Sequence, residues 1–370
     1  MKNLWIGLVI LVVIVAGYFV LGQKPKEVTG EPIKIGGLFA LSSYAAFAGE
    51  TSRNGFIMAL EDAGLNPSQY PIEDFHSDLT TTASAAKKLS EIDGVKVVLG
   101  PEWAEFSQVV VPIATTDHTV FISPWMTGEG ESFQSPYYFS MTPSERGQVR
   151  AVLAYMVKHS LNKIALISSN NAWSIGLEAI IKDEITHDYP SVTIVFESNP
   201  PQDSTDYRTD LLKIKTLGVD AIYALMATSQ TGEAFVNQYK QLASKAPLFM
   251  PTSAVTSISA DTAARTNLNG IFYPSWQDYS RTAEFNQKYK KRFGVEPAAI
   301  TGATTYDATT LVLQAIKSGA QTSEQVIAYL KAIKKYSGYS GVISFDETNH
   351  VVTQAVELRQ VSSSSYVVVE

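Results

Sequence analysis

The stretch Val95–Gly128, VKVVLGPEWAEFSQVVVPIATTDHTVFISPWMTG, constrains the fold more than any other part of the chain. Val95–Leu99 is a short β-branched apolar run that ends at Gly100-Pro101. Glu102–Thr115 sets Phe106, Val109, Val110 and Ile113 at helical spacing, and Pro112 is expected to kink or shorten that helix. Val120–Ser123 is a second apolar run, stopped by Pro124. Strand, helix and strand in this order form a βαβ unit, with parallel strands and a right-handed crossover. In such an open sheet, ligands bind beyond the carboxyl ends of the strands. Both loops at those ends carry a tryptophan, Trp103 and Trp125.

The alternation extends in both directions. Upstream, Ile33–Phe39 is a strand, Leu41–Glu50 a loop of small and hydroxyl residues, and Thr51–Gly64 a helix. Ile72–His76 and Thr81–Asp93 repeat the pair. Downstream, Tyr137–Met141 is a strand, and Pro143-Ser144-Glu145 caps the helix Arg146–His159. The pattern restarts at the strand Lys163–Ile167 and continues through Val192–Glu197, Ala221–Leu225, Leu248–Met250 and Gly270–Tyr273, with helices between. Ala283–Phe293, Ile300–Ser318 and Ser323–Ala332 are further helices. Tyr339–Phe345 and Val351–Leu358 are expected strands, and Val361–Glu370 a tail. Two successive runs predict an α/β protein of two doubly wound, Rossmann-like lobes. The long helix 300–318 follows the second lobe's strands yet has the length of a lobe-packing helix. A chain that returns to its first lobe makes a hinge of several strands.

The N-terminus has a different character. Leu4–Leu21 is eighteen residues without a charge, near the ~20 that cross a bilayer as a helix and longer than the apolar core of a cleaved signal peptide. Residues 1–22 are expected to be an N-terminal hydrophobic helix, a signal-anchor that tethers the chain to the membrane. Cleavage after Gly17 or Gly22 is the alternative. Gln23 stands where a lipid-bearing cysteine would be, and the chain has no cysteine at all. A lipid anchor, disulfides and thiolate chemistry are thereby excluded. Residues 23–32 form a polar linker. The segment type implies export of the remainder, periplasmic or at the cell surface.

A net charge of −7 argues against nucleic acid as a partner. The five histidines are scattered, so no metal site is expected. No P-loop, nucleophile elbow or GxGxxG turn is present; Gly36-Gly37 does not complete one. No cofactor and no catalysis are expected.

In order and spacing, IKIGGLFALSSYAAFAG, GVKVVLGP, VFISPWMT, YYFSMTPSERGQ, TTYDA and YSGYSGVISFDETN resemble the periplasmic solute-binding proteins of the branched-chain amino acid type. The resemblance runs from Ile33 to Phe345. It implies two lobes joined by three crossings, a ligand held between them, and delivery to the permease of an ABC importer. Lobe one would be 33–143 plus 273–350, and lobe two 144–272 plus 351–370. In amino-acid-binding relatives a serine follows the GP-type turn; here Ala104 stands in or near that place. Trp125 replaces a small residue after VFIS, while Thr127 is retained. The acid expected near PSE is Glu145, but Pro251-Thr252-Ser253-Ala254 lacks the carboxylate that relatives use for the ammonium group. A ligand-sensing ectodomain of the same fold, signalling to a membrane partner, is the alternative function.

Trp103, Trp125, Trp173 and Trp276 all follow predicted strands and are candidate ligand contacts, although each could simply pack on its lobe. Aromatic walls stack on flat, cationic or sugar ligands. Glu102, Glu105, Glu145 and Asp278 would favour a cation; Glu105 and Glu145 also suit helix N-termini. A ligand carboxylate would be held by Ser42, Ser43, Ser123, Thr127 and helix N–H groups. Tyr44 and Tyr223 are further candidates, and Asp307, inside a helix, is read as structural. The expected ligand is an amino acid or a related polar or cationic compound.

Overall fold

The computed structural model describes residues 33–126, 134–226, 228–242, 245–259, 266–276, 281–346, 350–353, 355–362 and 365–369. The apolar segment Leu4–Leu21, Thr127 and Asp278 lie outside them. Among the described residues no helix is long and apolar enough to cross a membrane.

The first sheet is built from β1 (Ile35–Phe39), β2 (Ile72–Asp74), β3 (Val97–Leu99), β4 (Val120–Ser123), β5 (Tyr138–Pro143) and β13 (Val351–Val352). They lie side by side in the order β13-β5-β4-β3-β1-β2, and every pair is parallel. Helices α1 (Ala46–Asp62), α2 (Leu79–Lys87) and α3 (Ala104–Asp117) connect the first four strands. With both faces covered, β1, β3, β4 and β5 are buried along their whole lengths, as parallel sheets require.

The second sheet takes β6 (Lys163–Ser168), β7 (Thr193–Ser198), β8 (Ala221–Leu225), β9 (Leu248–Phe249), β10 (Phe272–Trp276), β14 (Val356–Val361) and β15 (Tyr366–Val369). Their order is β15-β14-β10-β9-β8-β6-β7. It is parallel except at one edge, where β14 runs antiparallel to β10 and to β15. Helices α4 (Glu145–Lys158), α5 (Ala172–His187), α6 (Arg208–Leu217), α7 (Ser229–Gln241) and α8 (Thr252–Ser259) belong to this lobe. After β10 come α9 (Thr282–Phe293), α10 (Thr301–Lys317), α11 (Ser323–Ala332) and the hairpin β11 (Tyr336–Gly338) and β12 (Gly341–Ile343). The apolar face of α10, Ala308, Leu311, Val312 and Ala315, is buried in one core with β1, β3, β4 and β5 residues. The chain therefore returns to the first lobe, and passes between lobes after β5, after β10 and between β13 and β14.

Two boundaries differ from the sequence reading. Tyr273–Trp276 was expected to open the return to lobe one, but it pairs with β14 in the second sheet. Val351–Leu358 was expected as one strand of lobe two. It divides: Val351 pairs with Ser140 in the first sheet, and Val356–Val361 pairs in the second. No glycine or proline marks the break between the two halves, so the sequence reads through it as one strand. The expected tail also contains a strand, β15. Pro112 does not break α3. It and Gln108, whose carbonyl it leaves without a donor, are both exposed, so water can serve that carbonyl.

Helices α1 and α10 cross at two glycines. A Cβ on Gly55 would lie 2.1 Å from the Gly302 carbonyl oxygen. That contact is backbone against backbone, so no side chain can yield. Gly55→Ala is expected to cost about 2 kcal/mol, as overpacking of a tight core does. Chemical denaturation checks it; an unchanged midpoint would show that the helices separate freely.

Candidate functional site

The carboxyl ends of β3 and β4 carry two loops that are tied to each other. The Ser123 hydroxyl donates to the Pro101 carbonyl at 2.7 Å, and Trp103 N–H donates to the Trp125 carbonyl at 2.6 Å. The Trp125 loop is fixed in turn by Met126 N–H, which donates to Thr142 Oγ1 at 3.0 Å. Gly100 has φ +111 and lies against the Leu38 carbonyl, where a Cβ would sit 1.9 Å from oxygen. Trp103 itself has φ +65, a left-handed conformation that is rare for a bulky residue. It directly precedes α3, and its side chain makes no capping bond. The Trp103 indole packs among Tyr44, Phe47 and Phe106 of its own lobe.

A cavity of about 890 Å³ opens between the lobes, a size suited to a small-molecule ligand. Lobe one contributes Tyr44, Phe47, Trp103, Ala104, Glu105 and Trp125. Lobe two contributes Glu145 and Gln148 from α4, Asn171, Trp173 and Leu177 around the start of α5, and Gln202. It also supplies Tyr223 of β8, Thr228 before α7, Pro251, Thr252 and Ser253 around the start of α8, and Trp276 at the end of β10. The four tryptophans of the folded chain thus face one space.

The aromatic walls have defined geometry. The Tyr44 ring stacks on Trp103 with centroids 5.8 Å apart and planes at 3°, and Phe47 tilts against the same indole at 6.1 Å. Tyr44 and Phe47 are 64% and 52% exposed, and with Trp103 they make one contiguous aromatic surface on lobe one. Trp125 meets Trp276 edge to face at 6.2 Å. Trp276 is buried, and its Nε1 has no hydrogen-bond partner among the described residues. Trp173 Nε1 donates to Glu145 Oε1 at 3.0 Å, which orients a buried carboxylate at the cavity wall. Burial, and secondarily the Glu145 charge, raise the Tyr223 phenol above its ordinary range. Burial and then the adjacent Glu105 carboxylate do the same for Tyr44.

Of the residues singled out in the sequence, Tyr44, Trp103, Ala104, Trp125, Glu145, Trp173 and Trp276 line this cavity together, as do Glu105 and Tyr223. Ser42, Ser43, Glu102 and Ser123 do not. The Ser42 hydroxyl lies 2.6 Å from His76 Nδ1, Ser43 is a turn residue with φ +70, and Ser123 is spent on the Pro101 carbonyl. Glu102 is wholly buried behind the loop, with one carboxylate oxygen 3.4 Å from the Ala40 nitrogen and the other without a hydrogen-bond partner among the described residues. Its backbone lies one residue from Trp103, but the side chain points into the lobe. Phe47, Gln148, Asn171, Gln202, Thr228 and Thr252 were missed. Asn171 and Thr228 carried a signal, since each caps a helix that follows a strand. Gln148 and Gln202 carried none.

The chain is 20% identical to the Leu/Ile/Val-binding protein homolog 8 of Brucella abortus (strain 2308), over 336 residues that cover 81% of this chain and 80% of the relative. It is 24% identical over 260 residues to glutamate receptor 2.2 of Arabidopsis thaliana, covering 66% of this chain but only 27% of that receptor's length. Among solved structures, an ABC transporter solute-binding protein from R. palustris, in complex with 4-hydroxybenzoate, has the same fold. It aligns with a TM-score of 0.72 at 20% identity, over 92% of this chain and 96% of that one. The sequence pattern of the periplasmic binding proteins runs through residues 32–365, across both lobes and every passage between them, and the chain belongs to the periplasmic binding protein family.

Proposed function

We propose that this chain is an extracytoplasmic solute-binding protein that captures a small molecule between its lobes and delivers it to an ABC importer. The observation that carries this reading is a single interlobe cavity with aromatic walls from both sides. Closure of the lobes about their three connecting segments would bring Tyr44, Phe47 and Trp103 onto a ligand resting on lobe two, a hinge transition. The closed surface would then be what a permease recognises. The relatives support capture of small molecules and differ in what they hold, one named for Leu, Ile and Val and another carrying 4-hydroxybenzoate. For this chain the ligand is an amino acid or a related polar or cationic compound. Leu4–Leu21 would tether the chain to the membrane, or serve as its export signal.

Titration of the full chain with a small-molecule library, following tryptophan fluorescence and melting temperature together, tests the reading. A true ligand stabilises the folded state by ~2.7 kcal/mol at a hundredfold excess over Kd. At least one compound is expected to change both signals. Trp103→Ala and Trp125→Ala are each expected to weaken that compound tenfold or more, ~1.4 kcal/mol, in proteins that still melt cooperatively. Silence across the library, or unchanged affinity in both variants, overturns the proposal.

A further inference from the structure

The cavity wall carries a charge pattern that the capture reading leaves unused. Among the described residues its lining includes two carboxylates, Glu105 and Glu145, and no lysine, arginine or histidine. Arg146, adjacent to Glu145 in sequence, extends its guanidinium to Asp183 and Glu184, at 2.6 Å each. An anionic ligand would therefore meet like charge with no cationic side chain at the wall to offset it.

Helix N-termini are the other means of holding a carboxylate, and at three of those around the cavity a side-chain cap already takes one N–H. Ser144 caps α4 by accepting from Arg146 N–H, Asn171 caps α5 by accepting from Ser174 N–H, and Thr228 caps α7 by accepting from Thr231 N–H. Helix α3 lacks a side-chain cap, but Glu105 stands in its first turn and at the cavity wall. That carboxylate already complements the α3 dipole.

The remaining wall is aromatic. The faces of tryptophan and tyrosine attract cations through the ring quadrupole, the more strongly once water is excluded. Trp173 donates to Glu145 and orients this carboxylate on the wall that Tyr223 also lines. We propose that the ligand is an organic ammonium cation without a carboxylate. Its charged head would lie at Glu145 against Trp173 and Tyr223, and its apolar body against Trp125 and Trp276. This inference rests on the solute-capture reading and adds the charge class of the solute.

Isothermal titration of the full chain with benzyltrimethylammonium, choline, L-leucine, benzoate and D-glucose tests it. At least one of the two cations is expected to bind tenfold or more tighter than leucine, benzoate and glucose. Glu145→Gln keeps an acceptor for Trp173 Nε1 and removes the charge. It is expected to weaken the better cation at least tenfold while the melting temperature of the unliganded protein stays near that of the parent. Tighter binding of leucine, benzoate or glucose than of either cation overturns the proposal and leaves solute capture standing. A Glu145→Gln affinity within twofold of the parent also overturns it. Binding of none of these probes, with silence across the wider library, overturns both.

Discussion

Asp307→Ala is expected to destabilise the folded chain by about 3 kcal/mol. Asp307 lies within α10, is 1% exposed, and accepts three hydrogen bonds from the turn that joins β11 to β12. Tyr339 N–H donates at 3.0 Å, Ser340 N–H at 2.7 Å and the Ser340 hydroxyl at 2.6 Å. Alanine removes the acceptor that Asp307 gives these donors, at ~1–3 kcal/mol each. An opposing effect reduces the loss. Burial outweighs those bonds and pushes the Asp307 carboxyl up to about 6 from 3.8. Removing a charge held so unfavourably returns ~3 kcal/mol at neutral pH. The lost hydrogen bonds are the larger effect, and the difference is the expected loss. Urea denaturation at pH 7 checks the value; a variant as stable as the parent would mean that the hairpin finds other acceptors. Asp307 is thus a clamp between α10 and the hairpin of lobe one, and lies outside the cavity.

The second large effect has the opposite sign. Glu102→Gln is expected to stabilise the chain by ~3 kcal/mol above pH 7 and to leave it unchanged below pH 4.5. Burial pushes the Glu102 carboxyl up to about 7 from 4.5, against smaller opposing effects from the nearby Ser52 hydroxyl and backbone N–H groups. Among the described residues one carboxylate oxygen has no hydrogen-bond partner. The sign follows from proton binding. Between pH 4.5 and 7 the unfolded chain has released this proton and the folded chain still holds it, so stability falls as pH rises. Above pH 7 both forms are ionised and the loss is complete. Glutamine keeps the shape and an acceptor for Ala40 N–H but carries no charge. The gap between parent and variant should therefore open across pH 4.5–7, which denaturation at a series of pH values reads directly. A gap independent of pH would mean that Glu102 ionises as freely in the folded state as in the unfolded one. Because Glu102 supports the backbone turn that presents Trp103, a change in ligand affinity of Glu102→Gln would report on that support.

Much of this molecule was legible in the chain because its signals are local. Alternating apolar runs at strand and helix spacing established two α/β lobes. The return of α10 to the first lobe followed from its length and its position after the second lobe's strands. The tryptophans were legible as cavity residues because each follows a strand, and the carboxyl ends of parallel strands face one edge of a sheet. Where a side chain points within a loop was not legible. Glu102 and Trp103 are neighbours in sequence, yet a positive φ at Trp103 sends the indole to the cavity while the carboxylate is buried behind it. Ser123 had the right residue type, but the Pro101 carbonyl, twenty-two positions away in sequence, takes its hydroxyl. Sheet membership of Tyr273–Trp276 and Val351–Val352 depended on partners far along the chain. The sequence by itself determined the elements, their alternation and the edge at which a ligand would bind, because those depend on local periodicity. Only the tertiary structure decided which acids reach the cavity and which are buried, because that depends on backbone turns and distant hydrogen-bond partners that no local pattern encodes.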